Sequence, residues 1–168
     1  MTAQISDGIK LNGYTHHLVG GQGGPLATPD YFGMESEMLS TSCYRGYHAL
    51  YELLNDTLVL REFTLRETHG HYVLIDGVTP DVFPSQGTYR GLRLLIPFTG
   101  TLRLGFGSIR GVDSVRSRVI SYQQVIDFVL EQGVVRSTRD RSEEVAEKRR
   151  RFLADPFAPF QTPGDDLN

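Results

Sequence analysis

Tryptophan is absent from this chain, and cysteine occurs once, at Cys43. A lone cysteine excludes an internal disulfide and any zinc site built on several cysteines. Lysine is nearly absent too: of 17 basic residues only Lys10 and Lys148 are lysines. Arginine brings a planar five-donor fork in place of a point charge, although genome base composition also produces such a bias. No apolar run is long enough to span a bilayer as a helix. The opening MTAQISDGIK has no basic stretch followed by an apolar one, so no signal peptide is expected and a cytoplasmic location is. Excess positive charge is lacking as well. The net charge of −3 over 168 residues gives nucleic acid no broad attraction. Phosphate loops of the G-x-x-x-x-G-K-[ST] type, G-x-S-x-G elbows and H-E-x-x-H pairs are not found.

What is present is globular composition, with 39% hydrophobic and 22% charged residues. Charge is uneven along it. Residues 136–151, RSTRDRSEEVAEKRRR, are net positive, and the segments on either side are net negative.

Most of the chain reads as strands. Asn12-Gly13 lies between two extended runs in IKLNGYTHHLV and predicts a tight hairpin. Residues 20–30, GGQGGPLATPD, read as a loop because glycine and proline dominate. In the next segment Tyr47, Ala49, Tyr51 and Leu53 share one face, Asn55-Asp56 turns the chain, and TLVLREFTL returns. HGHYVLIDG, 69–77, reads as a further strand, and 78–88 as an irregular loop. GLRLLIPF and TLRLGFG flank Thr99-Gly100. In the latter, Leu102, Leu104 and Phe106 alternate with Arg103 and Gly105 as in a half-buried strand. Pro97 belongs at an edge or bulge. Residues 121–133 fit a helix face or a strand. The β-branched content and the lack of loop residues before VVRST favour a hairpin turning at Glu131-Gln132-Gly133. The helix comes later, over about 141–154, with Asp140 as cap, Glu143 reaching back, acids first and bases last.

The expected fold is therefore mainly β (α+β): a curled antiparallel sheet or small barrel-like meander of roughly eight to ten strands with one C-terminal helix. Residues 1–155 form one domain in this reading, and 156–168 an extended or disordered tail.

Candidate chemistry is sparse. His69 and His71, two apart on a strand, would share a face and could hold a metal with His48 or Glu67. The simpler reading is a polar turn in water, and no metal or cofactor is expected. His16 and His17 would face opposite sides. Cys43 has Arg45 and His48 nearby but no demonstrated partner that would lower its pKa. Ser40, Ser42 and Ser108 lack a nucleophile setting. Arg149, Arg150 and Arg151 read as bases complementing a helix end. Tyr44, Arg45, Tyr47 and Tyr51 form the richest aromatic–arginine cluster, of the residue types that dominate protein interfaces. Tyr47 and Tyr51 are expected in the core, with Tyr44 and Arg45 exposed.

The stretch CYRGYHALYELLNDTLVLREF resembles a group of small, uncharacterised bacterial proteins. The shared pattern is Arg45, Gly46, Tyr47, Ala49, Tyr51, Glu52, Leu53, the Asn55-Asp56 turn, Leu58 and Leu60. YRGLRLLIPFTGTLRLG is similar to that group's second block, with Phe98-Thr99-Gly100. VIDFVLEQGVVRSTRDRS is similar to its closing hairpin and Asp140-Arg141-Ser142. The resemblance spans roughly residues 41–142 and implies strands at 125–130. It implies no activity, catalytic residue or cofactor.

Three functions follow as expectations. The first is a protein-binding module, of the immunity type that neutralises a bacterial toxin, with Tyr44, Arg45, Asp76 and Asp81 as binding residues. The acidic balance would suit a basic toxin as partner, with no nucleic acid and no membrane. The second is a small-ligand binder using the interior of the curled sheet. The third is an enzyme using the histidines and Cys43.

Overall fold

The computed structural model describes residues 3–112 and 118–157. The expected tail beyond 157 lies outside them. Ten strands form one sheet: β1 (Gly8–Leu11), β2 (Tyr14–Gly23), β3 (Tyr47–Leu54), β4 (Thr57–Leu65), β5 (Asp81–Val82), β6 (Gly87–Tyr89), β7 (Leu94–Leu95), β8 (Gly100–Ser108), β9 (Tyr122–Glu131) and β10 (Val134–Asp140). One helix, α1 (Ser142–Ala154), follows. It is too short to cross a membrane.

The strand order is β10-β9-β8-β2-β1-β3-β4-β6-β5, with β7 also on β4. All pairs are antiparallel except β1 with β3. β10 meets β4 at Val134 and Thr57, and the amides of Leu58 and Val135 donate to Gly133 and Asp56. That contact closes a ring through β4, β3, β1, β2, β8, β9 and β10, so the sheet curls into a barrel-like form. β6 and β5 extend beyond it as a flap ending in an open edge.

The inner face is packed with side chains. Tyr51, Phe63, Leu58, Leu60 and Leu65 are fully buried there with Tyr89, Leu104 and Leu130. The β3–β4 register explains an irregular pattern in the sequence. Tyr51 faces Leu60 but Leu50 faces Glu62, so Arg61 is an extra residue. A bulge of one residue flips the side-chain parity. Leu58 and Leu60 point inward before it, Phe63 and Leu65 after it.

Several sequence readings need correction. Residues 20–30 are not all loop, since Gly20–Gly23 continue β2 and pair with β8. Glycine is what lets them do so. A Cβ on Gly23 would stand 2.4 Å from the Thr99 carbonyl, and one on Gly100 would stand 2.0 Å from that of Gln22. Residues 69–77 are not a strand. Gly70 takes a positive φ, and the Glu67 carboxylate accepts the amides of His69 (2.8 Å) and His71 (2.7 Å), so these donors leave the ladder. The loop 78–88 contains β5 and most of β6, and GLRLLIPF contributes only the two residues of β7. Pro97 lies outside the ladders.

Arg103 departs furthest from expectation. It is buried rather than solvent-facing. Its Nε and Nη2 donate to Asp127 at 2.7 and 2.9 Å, and Arg141 Nε donates to the same carboxylate at 3.0 Å. α1 packs against β9 and the short turn at Arg118–Ser121 that precedes it, and buries Val145. Arg149 is no mere helix-end base, because it donates to the carbonyls of Ile120 (2.7 Å) and Tyr122 and ties α1 down. Asp140 accepts the Ser142 amide at 2.8 Å, but it stands one residue before the expected place: the N-cap is Arg141, which makes no side-chain cap bond. Glu144, not Glu143, makes the ion pairs at this end, with Arg139 and Arg141.

Candidate binding cleft

β1 covers only part of β2. Their register runs from Leu11↔Tyr14 to Gly8↔His17, and Asp7 adds one bond by accepting the Leu18 amide at 2.9 Å. There the N-terminal segment turns away: the Ile5 amide donates to Ser42. β2 runs on to Gly23 paired with β8, and among the described residues no strand pairs with its other side beyond His17. The gap left on the other side is a cleft of about 420 Å³. The stretch Leu18–Thr28 forms one wall, Asp7, Arg45 and Tyr47 the other, and Phe98 and Leu102 complete the lining.

The arginine is held firmly. Asp7 is buried, and both of its carboxylate oxygens accept from Arg45, through Nη1 at 3.3 Å and through Nη2. Asp7 Oδ1 also accepts the Ala49 amide at 2.8 Å, which fixes the carboxylate against β3. Arg45 Nε donates to the Tyr47 carbonyl at 2.8 Å, and the guanidinium lies 4.5 Å above the Tyr47 ring. Burial works against the Arg45 charge, but Asp7 more than offsets this and raises the pKa. Burial also raises the pKa of the Tyr47 phenol and lowers that of the His48 imidazole. Three of five guanidinium N–H bonds are engaged in these contacts. The side chain is 38% exposed. The far rim is anchored by Tyr51, whose hydroxyl accepts the Ala27 amide at 3.1 Å.

The predicted binding residues do not share one site. Arg45 lines the cleft, while Tyr44 is exposed beside it, its amide bonded to Gln4. Asp76 and Asp81 lie away from the cleft on the 72–95 lobe, whose Ile75, Tyr89 and Leu92 join the same core. Asp81 pairs with Arg90 at 2.9 Å, so its charge is locally offset, and Asp76 accepts the Arg93 amide at 3.4 Å. Sequence reasoning missed Asp7 and the β2 wall. Arg45 and Asp7 are far apart in sequence, and no local pattern links them.

The histidines are spread out. The rings of His69 and His71 are 6.5 Å apart and exposed, on a turn rather than one strand face. Glu67, a possible third ligand, spends its Oε2 on their amides. Burial alone would raise its pKa, but those amides outweigh it and hold it below the usual range. Among the described residues no three His, Cys, Asp or Glu side chains are grouped to hold a metal. His16 is buried, with Nδ1 against the Tyr14 carbonyl and its ring against Phe106. Cys43 is buried, and its thiol donates to the Tyr47 carbonyl at 3.3 Å. Comparison with protein-family models, curated proteins and solved structures finds no match to this chain.

Proposed function

We propose that this chain is a non-catalytic module that binds a protein partner, with toxin neutralisation as the narrower form of that role. One observation carries the reading. The barrel wall is open beside β2, and the opening presents Arg45 stacked on Tyr47 in a lining of mixed polarity. Arginine and tyrosine in a pocket are the residue types in which interface energy concentrates. The groups with catalytic potential support it too, since Cys43 and Glu67 are already committed to backbone partners.

A tagged full chain, recovered from its source cell, tests this against two variants. Gly24→Trp obstructs the cleft rim, where an added Cβ meets nothing within 4 Å. Asp81→Asn alters the other lobe. The expected result is one stoichiometric protein retained by wild type and Asp81→Asn and reduced at least tenfold by Gly24→Trp. Equal retention by Gly24→Trp, or no retained protein, would contradict the proposal. For the narrower form, the partner expressed alone should arrest growth and co-expression of this chain should restore it.

The small-ligand reading is second. It is favoured by the cleft's volume, which falls in the range of small-molecule sites, roughly 300–1,000 Å³. Its signature would be a small molecule retained in native mass spectra of the purified chain.

A further inference from the structure

We infer that the cleft takes an extended peptide segment of the partner, added as a strand to the open side of β2. This inference rests on the protein-binding reading above and specifies its geometry.

The backbone of β2 motivates it. In an antiparallel ladder, residues alternate between directing N–H and C=O at the partner strand and directing them away. β8 serves one side of β2 along its whole outer half. On the cleft side, among the described residues, no strand pairs with β2 beyond His17. Natural sheets blunt such an edge with lysine, proline or inward charge. Here the edge is Val19, Gly20, Gly21, Gln22 and Gly23, with no charge and no proline before Pro25. Gly21 and Gly23 are exposed, so the backbone along this edge is accessible to an incoming chain.

The opposite wall selects what kind of chain approaches. Asp7 neutralises Arg45 through both carboxylate oxygens, so the pair offers a phosphate or carboxylate no net charge. Among the described residues two guanidinium N–H bonds have no acceptor, which suits a neutral carbonyl such as that of a peptide bond. Side chains alternate across a strand. Every second residue of an added strand would therefore face Leu18, Leu26, Phe98 and Leu102, which calls for apolar residues at alternate positions. The open stretch of β2 ends at Gly23, which limits contact to a few residues at about 3.3 Å per residue.

A second open edge exists at β5, next to exposed Val82 and Phe83. It is two residues long and carries the Asp81–Arg90 pair. That is the short, charged edge that resists strand addition.

The test uses the full chain as bait for a phage-displayed library of linear heptapeptides, with the best selected peptide as the probe. Expected is a sequence with apolar residues at alternate positions. On titration, amide resonances of Gly20, Gly21 and Gly23 should shift, and at least one outward amide should exchange with solvent at least tenfold more slowly. Gly24→Trp should weaken the peptide at least tenfold. A selected peptide that instead perturbs Asp81–Phe83 would overturn the β2 site and leave the protein-binding reading intact. So would failure to select any linear peptide while the native partner is still captured. A cleft that retains only a small molecule, with no protein captured, would overturn both.

Discussion

Replacing Gly46 with valine is expected to lower stability by about 2–6 kcal/mol, read as a shift of the urea midpoint at unchanged slope. Two independent penalties combine. Gly46 has φ +78°, a conformation that a side chain, above all a β-branched one, resists at a cost of roughly 1–3 kcal/mol. Its Cβ would also stand 2.2 Å from the Glu37 carbonyl oxygen and 2.8 Å from its carbon. That neighbour is backbone, and it is fixed: the Glu37 amide donates to Arg66 at 3.0 Å, and the Arg66 amide donates to Gly46 at 3.0 Å. Relieving the overlap must part these segments, for about 1–3 kcal/mol more. Gly13→Val separates the two terms. Gly13 has φ +82° but nothing within 4 Å of an added Cβ, so only the conformational penalty applies. Equal losses at both positions would show that the Glu37 contact does not constrain the fold.

The second large effect is expected at Asp127. Asp127→Asn removes the charge that both Arg103 and Arg141 address, and Arg103 stays buried without compensation. Breaking a buried pair in this way costs about 3–5 kcal/mol. The pair also joins β8 and β9 to the start of α1, so the helix signal should melt earlier than in wild type. The pH dependence provides a separate check. Burial alone would raise the Asp127 pKa, but bonds and charge from Arg103, with Arg141, outweigh it and hold the carboxyl below its usual value. The unfolded chain then binds the proton more readily. Stability from this group is present above the ordinary carboxylate range and lost as pH falls through the folded pKa. The gap between wild type and Asp127→Asn should narrow as the solution is acidified below about pH 4. A gap independent of pH would mean that the pair is not a charged one.

Local signals made much of this fold legible. Asn12-Gly13 and Gln132-Gly133 sit at positive φ in hairpin turns, and alternation from Tyr47 to Leu53 marked the inner face of β3. Even the Arg61 bulge leaves a trace, because the apolar pattern shifts from Leu58 and Leu60 to Phe63 and Leu65. Two misreadings have definite causes. Glycine and proline at 20–30 signalled a loop, but the close approach of β2 to β8 at Gly23 and Gly100 requires glycine in the strands themselves. Arg103 was read as solvent-facing because alternation reports which face a residue is on, not what covers that face. Its partner Asp127 is 24 residues away on β9. The cleft was half visible. Arg45 stood out by type and by its aromatic neighbours, whereas Asp7 is joined to it only by the parallel pairing of β1 with β3. The open side of β2 is a property of where β1 stops, and no residue pattern in β2 announces it.

Photo-crosslinking in the source cell addresses the central claim most directly. A benzophenone amino acid placed at Gly24 stands at the rim of the cleft, in open space. The same residue at Asp81 samples the other lobe, where the native side chain is exposed. The account expects irradiation to join the chain to a single protein from position 24 and to leave position 81 unlinked. An adduct formed from position 81 alone, or none from position 24, would contradict it.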